Sequence, residues 1–236
     1  MKRFFLFSLS CAAFAFSFFD SVALADVFKA SKRLAGFSAD SRYYIYLESA
    51  KNSVNEVPIA QIQIINLATN SCQPNGCIKT ESNDSSNTTF RAAEDDLLQK
   101  TLSMREKLNL TNLKEGIRLP MISHSSKSDG SETLQFRVNN PKEPLQILLQ
   151  QKYISSVLSP RGSSDVDRAA MRLVINYKNR RLTIGDLNNY REAVKRYSIR
   201  EVRLSPNKRN VIVLIDQTQP TYEGVLLTTF VQSFPI

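Results

Sequence analysis

Apolar and polar positions alternate in IAQIQIINL, residues 59–67, with Ile62 and Ile64 on one face. That period of two predicts a strand. Upstream, residues 41–49 read SRYYIYLES, rich in aromatic and β-branched side chains, and predict the strand's hairpin partner across a polar loop from Lys51 to Pro58. The period changes after ESNDSSNTT, residues 81–89, which has no apolar content and reads as a loop or disordered insert. Thr88 or Thr89 can cap a helix over about 90–108, with Leu97, Leu98, Leu102, Met104 and Leu108 forming an apolar core stripe. Glu94, Asp95 and Asp96 fall early in it, and Lys100, Arg105 and Lys107 late, as the helix dipole favours.

Strand patterns return near 116–122, 133–139, 144–154, 170–177 and 180–184, with a turn in NYKNRRL between the last two. Residues 188–197, NNYREAVKRY, read as a short helix. Further strands are expected at 199–204, 210–216 and 223–233. The fold class is therefore mainly β (α+β), an antiparallel β domain with one long helix inserted.

Residues 36–49, GFSADSRYYIYLES, and 203–216, RLSPNKRNVIVLID, write one phrase twice. Ser38 corresponds to Ser205, Asp40 to Asn207, Arg42 to Arg209 and Ile45 to Ile212. Small polar side chains of this kind bond backbone groups in turns, so Ser38, Asp40, Ser205 and Asn207 are expected to build structural turns. The phrase is similar to the Ser-Pro-Asp-Gly-Lys strand-opening phrase of β-propeller repeats. Two copies do not make a propeller, which needs about four blades or more.

The chain opens with Met1, Lys2 and Arg3, an apolar run from Phe4 to Phe19, and Ala23-Leu24-Ala25, the three parts of a secretory signal. The run is 16 residues long, short of the ~20 that a membrane-spanning helix needs. Cleavage after Ala25 leaves residues 26–236 as a single β-rich domain with no further apolar span, exported to the periplasm or beyond. The alternatives are an uncleaved anchor and a lipoprotein modified at Cys11. Two cysteines remain, Cys72 and Cys77, separated by Gln73-Pro74-Asn75-Gly76. A disulfide in a tight loop suits an oxidising compartment. Redox pairs usually have two intervening residues, and two thiols without a nearby His are a poor zinc site.

The exported start, Gly36-Phe37-Ser38-Ala39-Asp40, the Ile-rich strand, the helix, the closing Ser-Pro strand and PTYEG at 220–224 together resemble a bacterial family of predicted secreted proteins of unknown function. Where that family has glycine-rich text after the first strand, this chain has Ser49-Ala50-Lys51-Asn52. The resemblance implies export and a common domain, and supplies no catalytic residues.

The residues exclude several chemistries. There is one histidine, His124, in MISHSSKSDG, so a multi-histidine metal site is ruled out. A His-activated nucleophile would need His124 with Ser123, Ser125 or Ser126. No phosphate-binding glycine loop or nucleophile elbow occurs, and no cofactor is indicated. Asp165 and Asp167 with Ser163 and Ser164 form only a fragment of a hard-cation loop. Charge is more informative. Residues 168–209 hold 12 Lys and Arg against Asp186, Glu192 and Glu201. Arg180-Arg181, Lys195-Arg196 and Lys208-Arg209 are candidate anion-binding doublets. The bland alternative is a solvated face. The expected partner is an anionic envelope component: lipid head groups, lipopolysaccharide, cell-wall polymer or an acidic protein. Nucleic acid fits the charge but not the compartment. The expectation is a non-enzymatic binding or scaffolding protein, and the alternative a carboxylate-dependent hydrolase acting on envelope material.

Overall fold

The computed structural model describes residues 26–51, 57–81, 89–139, 142–156, 167–221 and 224–236. The strands are β1 (Asp26–Lys29), β2 (Ser31–Phe37), β3 (Tyr43–Lys51), β4 (Pro58–Asn66) and β5 (Ser71–Glu81). The helices α1 (Phe90–Lys100) and α2 (Leu102–Lys107) follow. Next come β6 (Ile117–Arg118), β7 (Met121–Ser126), β8 (Glu132–Phe136), β9 (Leu145–Ile154) and β10 (Arg168–Tyr177). The chain closes with β11 (Arg180–Gly185), β12 (Arg191–Glu192), β13 (Arg196–Leu204), β14 (Asn210–Pro220) and β15 (Gly224–Pro235).

These strands make three sheets: a back sheet β2-β3-β4-β5, a central sheet β1-β15-β14-β13-β6, and a front sheet β11-β10-β9-β8-β7 to which β12 adds beside β10. Pairing is antiparallel except for β1, which runs parallel to β15.

The order of layers is front sheet, central sheet, back sheet, helix, and it follows from side-chain alternation. In β14, Val211, Val213 and Ile215 enter the core shared with the front sheet, while Ile212 and Leu214 enter the core shared with the back sheet. In β3, Tyr44 and Tyr46 face the central sheet, while Ile45 and Leu47 face Ala93 and Leu97 of α1. Strands buried on both faces read as continuous apolar runs, which is why VIVLI at 211–215 does not alternate. Strand β8 has a covered and an open face, and its burial alternates residue by residue.

The expected long helix is two helices. Thr101 separates them: it is fully buried, and its hydroxyl donates to the Leu97 carbonyl at 2.7 Å. A threonine that bonds back to the preceding turn in this way bends a helix. Thr89 caps α1 by accepting from the Ala92 N–H. Glu94 and Asp95 lie a turn inside the helix, and their partner is Arg33 of β2, at 3.0 and 2.7 Å. Leu102, expected in the apolar stripe, is exposed beyond the break.

Residues 188–197 are not a helix. Ala193 adopts a positive φ of 54°, and Arg191–Glu192 pair with β10. Val194 and Tyr197 carry a helix-like spacing, yet Val194 enters the front–central core from an irregular segment and Tyr197 enters it from β13. The cysteine loop lies inside a strand: Cys72 pairs with Ile65 and Cys77 with Gln63 of β4, and a bulge between them is closed by the Cys72–Cys77 bond.

The two copies of the repeated phrase form the same turn, between β2 and β3 and between β13 and β14. The Ser38 hydroxyl donates to Asp40 Oδ1 at 2.6 Å, and the Ser205 hydroxyl to Asn207 Oδ1 at 2.7 Å. The Arg42 and Arg209 N–H groups donate to those same oxygens, each at 3.1 Å. The Tyr43 and Asn210 N–H groups return to the serine hydroxyls at 3.0 Å. Ser41 and Lys208 occupy the left-handed region at the matching position, with φ of 57° and 58°.

Candidate functional site

The basic doublets are placed by two hairpins. Tyr177 pairs with Arg180, leaving Lys178 and Asn179 as a two-residue turn in which both have positive φ. This is the geometry that matches strand twist in tight hairpins. It projects Lys178, Arg180 and Arg181 at one end of the front sheet. The β13–β14 turn carries Lys208 and Arg209 to the same end. The link is the chain terminus: the Ile236 N–H donates to the Arg209 carbonyl at 3.0 Å. Ile236 also lines a cavity of about 730 Å³ together with Lys178, Arg180, Arg181 and Leu182. On the other side of the hairpin, a shallower depression of about 510 Å³ adds Lys142 and Glu143.

Among the described residues, Arg180, Arg181, Lys208 and Arg209 have no carboxylate partner. Lys178 rests over the Tyr177 ring at 5.2 Å. Lys195 and Arg196 are different. Arg196 begins β13 and Lys195 precedes it, so the strand's nine residues separate them from the β13–β14 turn by roughly 27 Å at ~3.3 Å per residue. Lys195 reaches Asp167 at 3.5 Å and Arg196 reaches Glu132 at 3.7 Å. The six residues are therefore not one patch. Four gather at one end, and two are paired at the other. The doublets looked equivalent in the sequence because β13, which parts them, contributes charges of its own.

The carboxylates that are out of solvent each have structural partners. Glu48 accepts from Gln61 and from Thr229. Glu94 accepts from Ser49 at 2.6 Å and pairs with Arg33. Glu132 accepts the Ile199 N–H at 3.1 Å. Asp167 accepts from the Tyr153 hydroxyl at 2.7 Å and the Ser156 N–H at 2.9 Å. Burial alone would raise the Asp167 pKa, but these donors and Lys195 outweigh it and hold the carboxyl below its usual range. Asp216 goes the other way: burial raises it, against the pull of Arg200 and Lys29. The expected cation fragment is divided, since Ser163, Ser164 and Asp165 lie outside the described residues. Among the described residues no group of three or more His, Cys, Asp or Glu side chains is spaced for a metal ion.

His124 is exposed on β7, an edge strand of the front sheet. Its Nε2 lies 3.3 Å from the Ser126 hydroxyl and 3.9 Å from Glu132 Oε2. A nucleophile relay needs the hydroxyl and the carboxylate on opposite ring nitrogens. Here one nitrogen faces both, so the trio does not form a relay.

Two features have no mark in the sequence. One is the end-to-end division of the basic residues. The other is a polar cleft between the central and back sheets, whose residues come from six separate segments and share no motif. The proposed cleavage site and residues 1–25 lie outside the described residues, and among the described residues no helix is long and apolar enough to cross a membrane. A family model described as "Predicted secreted protein (DUF2259)" matches residues 51–231. No curated protein and no solved structure matches the chain.

Proposed function

This chain belongs to that family of predicted secreted proteins, and on that premise we propose that it is a non-enzymatic binding or scaffolding protein of the bacterial envelope. In this reading residues 1–25 direct export to the periplasm and are removed after Ala25. The basic end then holds the protein to an anionic envelope component.

One observation carries the reading: four cationic side chains, Arg180, Arg181, Lys208 and Arg209, share one end of the fold without carboxylate partners among the described residues. Unpaired cations attract anions with their full charge, whereas Lys195 and Arg196 are already offset by Asp167 and Glu132. The hydrolase reading has no comparable support, because the buried carboxylates are engaged with backbone N–H groups, hydroxyls and cations.

Near an anionic lipid surface each exposed Lys or Arg adds about 1 kcal/mol, and the attraction fades beyond about one Debye length. Co-sedimentation with phosphatidylglycerol-containing vesicles and with cell-wall sacculi tests the reading. Binding should fall steeply as salt rises. Changing Arg180, Arg181, Lys208 and Arg209 to Gln should abolish it, while changing Lys195 and Arg196 to Gln should change it little. A folded four-site variant that binds as the parent does would leave these residues as a solubilising face. An exported protein whose mass retains residues 1–25 would overturn the cleavage.

A further inference from the structure

The central and back sheets part beside Arg200, leaving a cleft of about 240 Å³. Ligand cavities for drug-sized molecules run from ~300 Å³ upward, so this space suits a smaller one. Its floor is Tyr44, which is only 1% exposed. Among the described residues the Tyr44 hydroxyl has no hydrogen-bond partner. Its neighbour on the same strand face is the opposite case: the Tyr46 hydroxyl accepts from Arg200 at 2.8 Å and lies 3.2 Å from the Thr229 hydroxyl oxygen. The Tyr44 hydroxyl opens on the cleft, so its O–H is free to donate to a group bound there.

The charges around the cleft define what would complete it. Arg200 pairs with Asp216 at 3.1 Å behind the wall. Arg203 pairs with Glu201 at 2.5 Å and donates to the Gly116 carbonyl at 3.3 Å. Glu115 also lines the cleft, at its exposed rim. That leaves Lys29 of β1 and Lys32 of β2, which line the mouth and make no ion pair among the described residues, although Lys29 is near enough to Asp216 to pull on its carboxyl. Burial raises the Tyr44 pKa, so its hydroxyl stays protonated and remains a donor. The groups left to meet a ligand are therefore two exposed ammonium groups at the mouth and one O–H donor at the floor.

We propose that this cleft binds a small molecule bearing an oxyanion, a carboxylate or a phosphate, held by Lys29 and Lys32 at the mouth and by the Tyr44 hydroxyl at the floor. The site is separate from the basic end and does not depend on it. It uses charge-assisted hydrogen bonds, which are stronger than neutral ones.

Titration calorimetry of the mature protein with inorganic phosphate and, separately, succinate tests the site, with sodium chloride holding ionic strength constant. Saturable binding of at least one anion is expected. Lys29→Gln with Lys32→Gln should weaken it tenfold or more. Tyr44→Phe should weaken it several-fold without lowering the melting temperature, since the hydroxyl it removes has no partner within the protein. Arg180→Gln with Arg181→Gln should leave it unchanged, which separates this site from the basic end. Preference for phosphate or for succinate identifies the oxyanion. No saturable binding of either anion, or equal binding by the lysine double variant, would overturn the proposal.

Discussion

The Glu48 carboxylate of β3 accepts both the backbone N–H and the hydroxyl of Thr229, a residue 181 positions further along the chain. This contact joins two sheets and also solves a problem for β15. Strand β1 covers only Gly224–Leu227, so the outward N–H groups beyond that point have no strand partner. Side chains from the back sheet replace one. Thr229 N–H goes to Glu48, Val231 N–H to Gln63 at 3.1 Å, and Ser233 N–H to Asn70 at 2.7 Å. The Thr229 carbonyl accepts from Gln61 and Gln63. A bare strand edge invites pairing with other chains, and a buried one leaves unmet donors.

Removing Glu48 should therefore be costly. Glu48→Ala strands the Thr229 N–H, takes from the Thr229 hydroxyl the closer of its two partners, and leaves Gln61 without one acceptor. Each buried group left without a partner costs about 1–3 kcal/mol, so a loss of about 3 kcal/mol or more is expected in denaturant unfolding. Thr229→Val should be milder. The two together should be less than additive by about 0.5–3 kcal/mol, as for residues in one network. Additive losses would show that the pair is not coupled.

The twin turns give a matched experiment. Ser41 and Lys208 hold positive φ without being glycine, which costs about 1–2 kcal/mol for an L-residue. Ser41→Gly and Lys208→Gly should each stabilise slightly or be neutral, whereas substitution by Val should destabilise. The turns should differ in acid. Burial would raise the Asp40 pKa, but the Ser38 hydroxyl and Arg42 outweigh it and hold it below the usual value. A lowered folded-state pKa gives stability above the unfolded value of ~3.9, and that stability is lost as pH falls through the folded value. Asn207 has no such titration. Asp40→Asn should remove part of the acid sensitivity of unfolding below about pH 4, and Asn207→Ala should leave that sensitivity unchanged. A parent and an Asp40→Asn variant with parallel pH profiles would refute the assignment.

What the sequence showed well was local and periodic. The β3–β4 hairpin, the mainly β class and the correspondence of Ser38 with Ser205 could all be read from spacing. Strands β1 and β2 were missed because DVFKASKRLAGF mixes charges with few apolar positions, and the segment is held by pairing with distant strands. Strand β5 was hidden by its bulge, where Pro74, Asn75 and Gly76 read as the end of an element. Val194 and Tyr197 imitated a helix because both must reach one core. Tyr44 as the floor of a cleft was invisible in principle. Its polar neighbours come from β13, β1 and β2, and only the sheet packing brings them together.

Cys72 and Cys77 should carry no free thiol. Unfolded, unreduced protein should resist thiol labelling, and two labelled cysteines would rule the bond out. The bond closes a short loop across a bulge, so the chain-entropy estimate gives about 2 kcal/mol. Cys72→Ser with Cys77→Ser should fold, lose about that amount, and keep the β4–β5 register, because Ile78 and Ile62 still pair beyond the bulge.

The parallel strand β1 makes the sharpest test of the central sheet. Asp26, the residue expected to begin the exported chain, pairs with Gly224 of β15. The approach is close: a Cβ on Gly224 would stand 2.0 Å from the Asp26 carbonyl oxygen and 2.7 Å from its nitrogen. Both are backbone atoms, so no side chain can turn aside to make room. Gly224→Ala should therefore lift β1 from the sheet edge. Phe28 would then lose its packing on Ala30, Ala50, Ile59 and Leu226, and the Ala30 N–H its bond to the Leu227 carbonyl. Burial of one large apolar side chain is worth about 1.5–3 kcal/mol, which bounds the loss expected in thermal unfolding. Hydrogen exchange should speed up at Ala30 and along Val225–Leu227, and stay slow in β14. Deleting residues 26–29 should cost about as much as Gly224→Ala, and combining the two should add little, because both remove one contact. A Gly224→Ala protein with the parent's melting temperature and unchanged exchange at Ala30 would mean that β1 does not pair with β15.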